Sequence, residues 1–181
     1  MLSGFGTSVF DDTRTFRDSE MQSVRYNAPS MIKKSAARGH TPKSFPLRKN
    51  FCFACGQDNS KGMRLKFAQE GNRFVCHFKL GKRYTGPPGY CHGGIIATIL
   101  DDAMGKLCKL RQVVAVTSKM TVEYLKPVSL YKPLRVESRE LSRRGRRLTH
   151  KAEITDEKGA VLARSRGVFV IINPEQVFKR K

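Results

Sequence analysis

Residues 86–105 read GPPGYCHGGIIATILDDAMG, and this stretch decides the fold. A Pro-Gly turn runs straight into an apolar helical segment whose middle holds two adjacent aspartates. At 100° per residue, Ile96, Ile99, Leu100, Ala103 and Leu107 gather into one stripe, with Ile95 and Met104 on its flanks. Nearly three sides of such a helix are apolar, so if it stands alone beside a sheet, the sheet must wrap it. Asp101 falls roughly opposite the centre of the stripe, beside Ala97, Thr98 and Gly105. Small neighbours on that face invite close approach by another backbone, a second subunit or a ligand. A carboxylate partly withdrawn from water there suits a general base. Asp102 points nearer Lys106, at the four-residue spacing of a solvated helix ion pair.

The flanking sequence supplies the wrapping. Met63, Leu65 and Phe67 alternate with Arg64 and Lys66, and Gly71-Asn72 follows as a turn. Phe74, Cys76, Phe78 and Leu80 then share one face while Arg73, Val75, His77 and Lys79 share the other, so the two runs read as a hairpin. After the helix come four runs rich in Val, Ile, Thr, Leu, Phe and Tyr, near residues 113–125, 132–142, 146–156 and 160–172. Pro127 and Pro133, Gly145 and Gly159 mark the junctions, and the later ones are short enough to force antiparallel pairing. The expectation is an α+β domain in which a six-stranded antiparallel sheet surrounds one long helix.

A chain of 181 residues fits one such domain and a tail. Residues 1–50 lack any sustained apolar period and read as a basic, disordered N-terminal tail; 51–175 form the domain, and 176–181 a basic C-terminal end. No apolar run approaches the length of a membrane span and no secretory signal is recognisable, which points to the cytoplasm. Residues 21–50 carry seven Lys and Arg and no acid, a composition similar to an organelle transit peptide, so the mitochondrial matrix is the alternative. Five cysteines without a secretory signal argue for reduced thiols. Cys52 and Cys55 form a Cys-x-x-Cys pair that Cys76-His77 or Cys91-His92 would have to complete as a zinc site. The second closely spaced pair of a structural zinc site is missing, so neither metal nor cofactor is expected.

The stretch at 86–105, followed by VTSKMTVEYLKPV at 116–128, resembles the PaaI-like hotdog-fold acyl-CoA thioesterases over roughly residues 51–172. The upstream CFACGQDNSKGMRLKF is similar to an opening segment found in many members, whose cysteines are usually not metal ligands. The resemblance implies a homodimer or dimer of dimers with active sites at the subunit interface. It implies that Asp101, nine positions after the histidine of His-Gly-Gly, activates water or attacks the thioester. Gly93 would hold the oxyanion through its backbone N–H, Thr117 would support the water or carboxylate, and His92 belongs to the motif as either a catalytic or a structural residue. Gly94 and Asp102 flank these as candidate substrate contacts. Some relatives carry Asn or Gln six residues before the motif histidine, where this chain has Gly86. A thiol nucleophile made from Cys91 and His92 is disfavoured, because adjacent side chains diverge at a helix start. Met104, Leu107 and Tyr124 are candidates to line an acyl pocket.

Charge is the remaining signal. The formal balance is +20, and residues 51–181 alone carry 26 Lys and Arg against 11 Asp and Glu. An acyl-CoA substrate is polyanionic, and Arg143, Arg144 and Arg146 around Gly145 are the densest candidates to meet its phosphates, a solvated turn being the plain alternative. A nucleic-acid binder would also be basic, but no recognition motif and no interleaved aromatics accompany the charge. A non-catalytic acyl-CoA-binding protein is the other alternative.

Overall fold

The computed structural model describes residues 49–177. Strands β1 (Ala68–Glu70) and β2 (Arg73–Phe78) precede helix α1 (Gly93–Lys106); β3 (Ala115–Tyr124), β4 (Leu134–Arg144), β5 (Arg147–Asp156) and β6 (Val161–Ile171) follow, with a final turn of helix α2 (Pro174–Val177). The strands form one antiparallel sheet in the order β1-β2-β4-β5-β6-β3. Helix α1 touches every strand from β2 to β6, so the sheet curls around it as the apolar stripe requires. Ile96, Ile99, Leu100, Ala103 and Met104 of α1 and Leu107 beyond it are buried. Each large side chain among them contributes about 1.5–3 kcal/mol of burial. Met104 and Leu107, expected as pocket lining, are fully enclosed in this core instead.

The four strands after the helix fall within two residues of their expected bounds. The opening hairpin does not: Met63 to Phe67 form no strand, and β1 is only the three residues beside the turn. Arg64 adopts a left-handed φ of 54°. Around it the amides of Met63 and Leu65 bond to the carbonyls of Phe53 and Ala54, so this run belongs to the Cys52–Cys55 loop rather than to β2. Val75, expected on the outer face, is buried as well; it lies opposite Glu137, which Arg73 and Arg135 both pair with. The expected tail lies outside the described residues, apart from Lys49 and Asn50. Among the described residues no helix is long and apolar enough to cross a membrane.

Two buried polar side chains tie the end of α1 to the sheet. Ser138 Oγ donates to the Ala103 carbonyl at 2.6 Å, and His150 Nδ1 pairs with the Met104 carbonyl at 2.9 Å. These are among the last carbonyls of the helix, whose regular helical partners run out there; that of Met104 also takes the Leu107 amide of the closing turn. His150 is fully buried against Phe169, and its Nε2 lies 3.8 Å from Glu140, which is itself paired with Arg111. Burial holds the imidazole below its ordinary pKa, although the Met104 carbonyl and Glu140 oppose this. The unfolded chain therefore binds the proton more readily. His150 contributes stability that is present above about pH 6.5 and is lost as the pH falls toward its folded value. Urea-unfolding free energies between pH 7.5 and 5.5 should fall more steeply for the native chain than for His150→Gln, by at most ~1.4 kcal/mol per pH unit.

Candidate active site

The chain enters α1 through His92, whose extended backbone (φ −65°, ψ 136°) makes it the N-cap. Histidine is not a usual capping residue. Here its ring does the work of a Ser or Asp, with Nδ1 accepting the Gly94 N–H at 3.0 Å. The His92 carbonyl takes the amides of Ile95 and Ile96. Of the four N–H groups that a helix leaves open at its start, only that of Gly93 is then without a protein acceptor among the described residues. It projects from the positive end of the helix. Tyr124 covers this point from β3, its hydroxyl donating to the Gly93 carbonyl at 3.1 Å. Gly94, expected beside Gly93 as a substrate contact, has its amide engaged by His92.

Gly86 is pressed so closely against this turn that a Cβ would lie 2.7 Å from His92 Cα. The side-chain amide of some relatives has no room here. The loop is held by Gly86 N–H to the Tyr90 carbonyl and His92 N–H to the Tyr84 carbonyl, both at 2.9 Å. Gly86→Ala should therefore force the backbone apart and destabilise the chain by about 1–3 kcal/mol, read as a lower denaturation midpoint.

Two turns along α1, half-buried Asp101 accepts a hydrogen bond from Thr117 Oγ1 at 2.7 Å. A β-bulge makes this pair possible. Thr117 opposes Phe169 and Lys119 opposes Val168, leaving Ser118 as the extra residue. Its hydroxyl turns back to the Val168 carbonyl. Without the bulge, Thr117 would point away from the face that Met120 and Val122 present to the core; with it, Thr117 reaches the helix. Gly105, on the small-residue face, meets Phe169 of its own chain, with 3.9 Å between the ring and a Cβ built there. Thr98 bonds to the Gly94 carbonyl.

Asp102 is neither solvated nor directed to the same place as Asp101. Its side chain is 15% exposed and paired with Lys106 at 3.3 Å, and the same oxygen accepts the Cys55 thiol at 3.3 Å. Lys106 Nζ lies 2.6 Å from Cys55 Sγ and stands over the Phe67 ring. Burial pushes the Cys55 thiol up to about 11; the Lys106 hydrogen bond opposes the rise and the Asp102 charge adds to it. Cys52, Cys55 and Asp102 bring three potential metal-ligand atoms within 4.8 Å of one another. The cation already standing among them is the Lys106 ammonium. Cys91 is buried, bonds to the His92 carbonyl rather than to its ring, and is pushed up to about 11 by burial, which makes it a poor nucleophile.

The arginine cluster forms the tip of the β4–β5 hairpin, where Gly145 takes a φ of 56°. Arg143 Nε bonds to the Gly145 carbonyl and Arg146 Nε to the Ile171 carbonyl. In register, Arg143 opposes Leu148, which opposes Phe169, which opposes Thr117. The tip thus lies on the row and face of the Asp101–Thr117 pair, three strand spacings or about 14 Å across the sheet.

The thioesterase superfamily model matches residues 88–163, which contain the helix, the Asp101–Thr117 pair and the arginine tip. The rat protein named acyl-coenzyme A thioesterase THEM4 is 33% identical over 106 residues, 58% of this chain and 45% of its own. Over these residues the chain is similar to the thioesterase superfamily. It spans less than half the length of that rat relative. A yeast (Saccharomyces cerevisiae) protein named uncharacterized mitochondrial membrane protein FMP10 is 29% identical over 45% of this chain and 35% of its own. Among solved structures, the thioesterase superfamily protein RHA08564 superposes with a TM-score of 0.60 at 26% identity, covering 62% of this chain and 59% of that one. The Streptococcus mutans protein smu.793, solved bound to acetyl CoA, superposes at 0.55 and 18% identity, over 60% of this chain and 89% of its own. These neighbours share the hotdog fold: one long helix wrapped by an antiparallel sheet.

Proposed function

We propose that this chain is a thioesterase-superfamily enzyme that hydrolyses an acyl-CoA to the free acid and CoA, with Asp101 as the carboxylate that activates water or attacks the thioester. The observation that carries this reading is the 2.7 Å bond from Thr117 to Asp101. It fixes one carboxylate oxygen and leaves the other for water, as general-base catalysis requires. The unengaged Gly93 amide supplies the donor for an oxyanion.

Geometry bears on how these parts would meet. Asp101 lies eight residues after Gly93, about 12 Å along the helix axis at 1.5 Å per residue. A thioester carbon must lie within about 3–3.5 Å of its nucleophile, with its oxygen within hydrogen-bond reach of the donor. One chain cannot bring both to the same carbonyl. We therefore assign each site to two copies, Gly93 from one and Asp101 from the other. Strand β3 is an edge of the sheet and is mostly exposed along its ten residues, with Val116 and Tyr124 among them. A long edge of this kind is a template for a second copy. Arg143 offers a cationic contact for a CoA phosphate on the Thr117 face, with Arg144 and Arg146 adding positive charge at the same hairpin tip. Between cytoplasm and mitochondrion, the acid-free composition of residues 21–50 and the yeast relative's name, a mitochondrial membrane protein, favour the mitochondrion.

The test is thiol release from short, long and aromatic acyl-CoAs, run beside Asp101→Asn. Hydrolysis that the variant lacks supports the reading and names the acyl class. CoA binding without hydrolysis by the native chain would sink it in favour of a binding protein.

A further inference from the structure

Independently of the thioesterase reading, we propose that Cys52 and Cys55 form a redox-active dithiol, which peroxide-class oxidants convert to an intramolecular disulfide with Asp102 taking the Cys55 proton. The loop is built as a turn. The Gly56 amide bonds to the Cys52 carbonyl at 2.9 Å, and a Cβ at Gly56 would meet Asn50 O, Cys52 N and Cys52 O at 2.5 Å. This close wrapping holds the two sulfurs and an Asp102 oxygen within 4.8 Å of one another. The thiols differ in access: Cys52 is exposed to solvent, whereas Cys55 faces inward. The inner thiol already donates to Asp102 Oδ1, and Lys106 contacts both partners.

The chemistry follows that asymmetry. Cys52 gives its proton to solvent and its sulfur attacks a peroxide oxygen; the O–O bond breaks, the departing hydroxide takes a proton from solvent and leaves as water, and Cys52 becomes a sulfenic acid. Cys55 sulfur then attacks the Cys52 sulfur as its proton passes to Asp102 Oδ1; the S–O bond breaks, and the departing hydroxide takes that proton from Asp102 and leaves as the second water. Two thiols and one hydrogen peroxide give one disulfide and two waters. Closure removes the Cys55 donor from Asp102, leaving Lys106 as its partner, and a reducing thiol reverses the step by exchange.

The test is intact-mass and peptide mapping of the full chain after hydrogen peroxide and again after dithiothreitol. The expected result is a reversible loss of two hydrogens, mapped to a Cys52–Cys55 link and absent from Cys52→Ser. In Cys55→Ser, dimedone should trap a sulfenic acid on Cys52. Asp102→Asn should slow disulfide closure by about 10²-fold, the worth of a positioned base. If that variant does not fold, the two serine variants still decide the matter. A gain of one oxygen with loss of two hydrogens, marking a Cys55–oxygen–Lys106 bridge, would overturn the proposal. So would zinc(II) bound one per chain and lost in Cys52→Ser, or irreversible oxidation of Cys52 while Cys55 stays free.

Discussion

Asp101→Asn is expected to lower acyl-CoA turnover by about 10²–10⁴-fold while the Michaelis constant changes little, because a positioned base acts in the transition state and not in ground-state binding. The substitution is close to isosteric, and the asparagine carbonyl can still accept the Thr117 hydroxyl, so helix α1 should pack as before. The loss would then be chemical. Thr117→Ala removes a hydrogen bond to a charged group, about 1.5–3 kcal/mol, and should cost roughly 10- to 100-fold, with Thr117→Ser recovering most of it. Parallel thiol-release assays on the three variants separate these effects. Unchanged turnover in Asp101→Asn would remove the carboxylate mechanism altogether. Asp102 could not replace it, since one of its oxygens is shared by Lys106 and Cys55 and the other is buried without a partner among the described residues.

What could be read from the sequence, and what could not, follows from which interactions are local. The helix stripe and the four later strands depend on periodicity, and the structure reproduces them within two residues. Helical spacing shows the Asp102–Lys106 pair but not its burial, because the thiol that covers it comes from 47 residues away. Met63 to Phe67 alternate correctly, yet Arg64 turns left-handed because the Phe53 and Ala54 carbonyls claim the neighbouring amides. Thr117 is the most instructive case. Strict alternation sets it on the face away from Met120, and only the bulge at Ser118 turns it to Asp101. A family resemblance pointed to Thr117 where periodicity pointed away. At His92 the capping role was open to sequence reasoning only as an alternative, since a histidine ring is an uncommon cap.

Gly93→Pro offers the sharpest test of the remaining half of the mechanism. Gly93 is the first helical residue, the one interior position where proline is well tolerated, because the missing N–H has no helical acceptor there. His92 already has a ψ of 136°, the conformation preferred before proline, and a Cβ at position 93 would sit 3.5 Å from the Tyr124 ring, an ordinary contact. The substitution should leave the fold intact while deleting one oxyanion donor, so turnover is expected to fall by about 10²–10³-fold. If two copies pair as proposed, mixing it with Asp101→Asn distinguishes where the site lies. If each site takes Gly93 from one copy and Asp101 from the other, a dimer of the two single variants contains one doubly impaired site and one fully native site. Random pairing of equal amounts would then restore about a quarter of native activity from two nearly inactive proteins. If Gly93 and Asp101 of a single chain served the same thioester, every site in the mixture would carry one defect, and no activity would return.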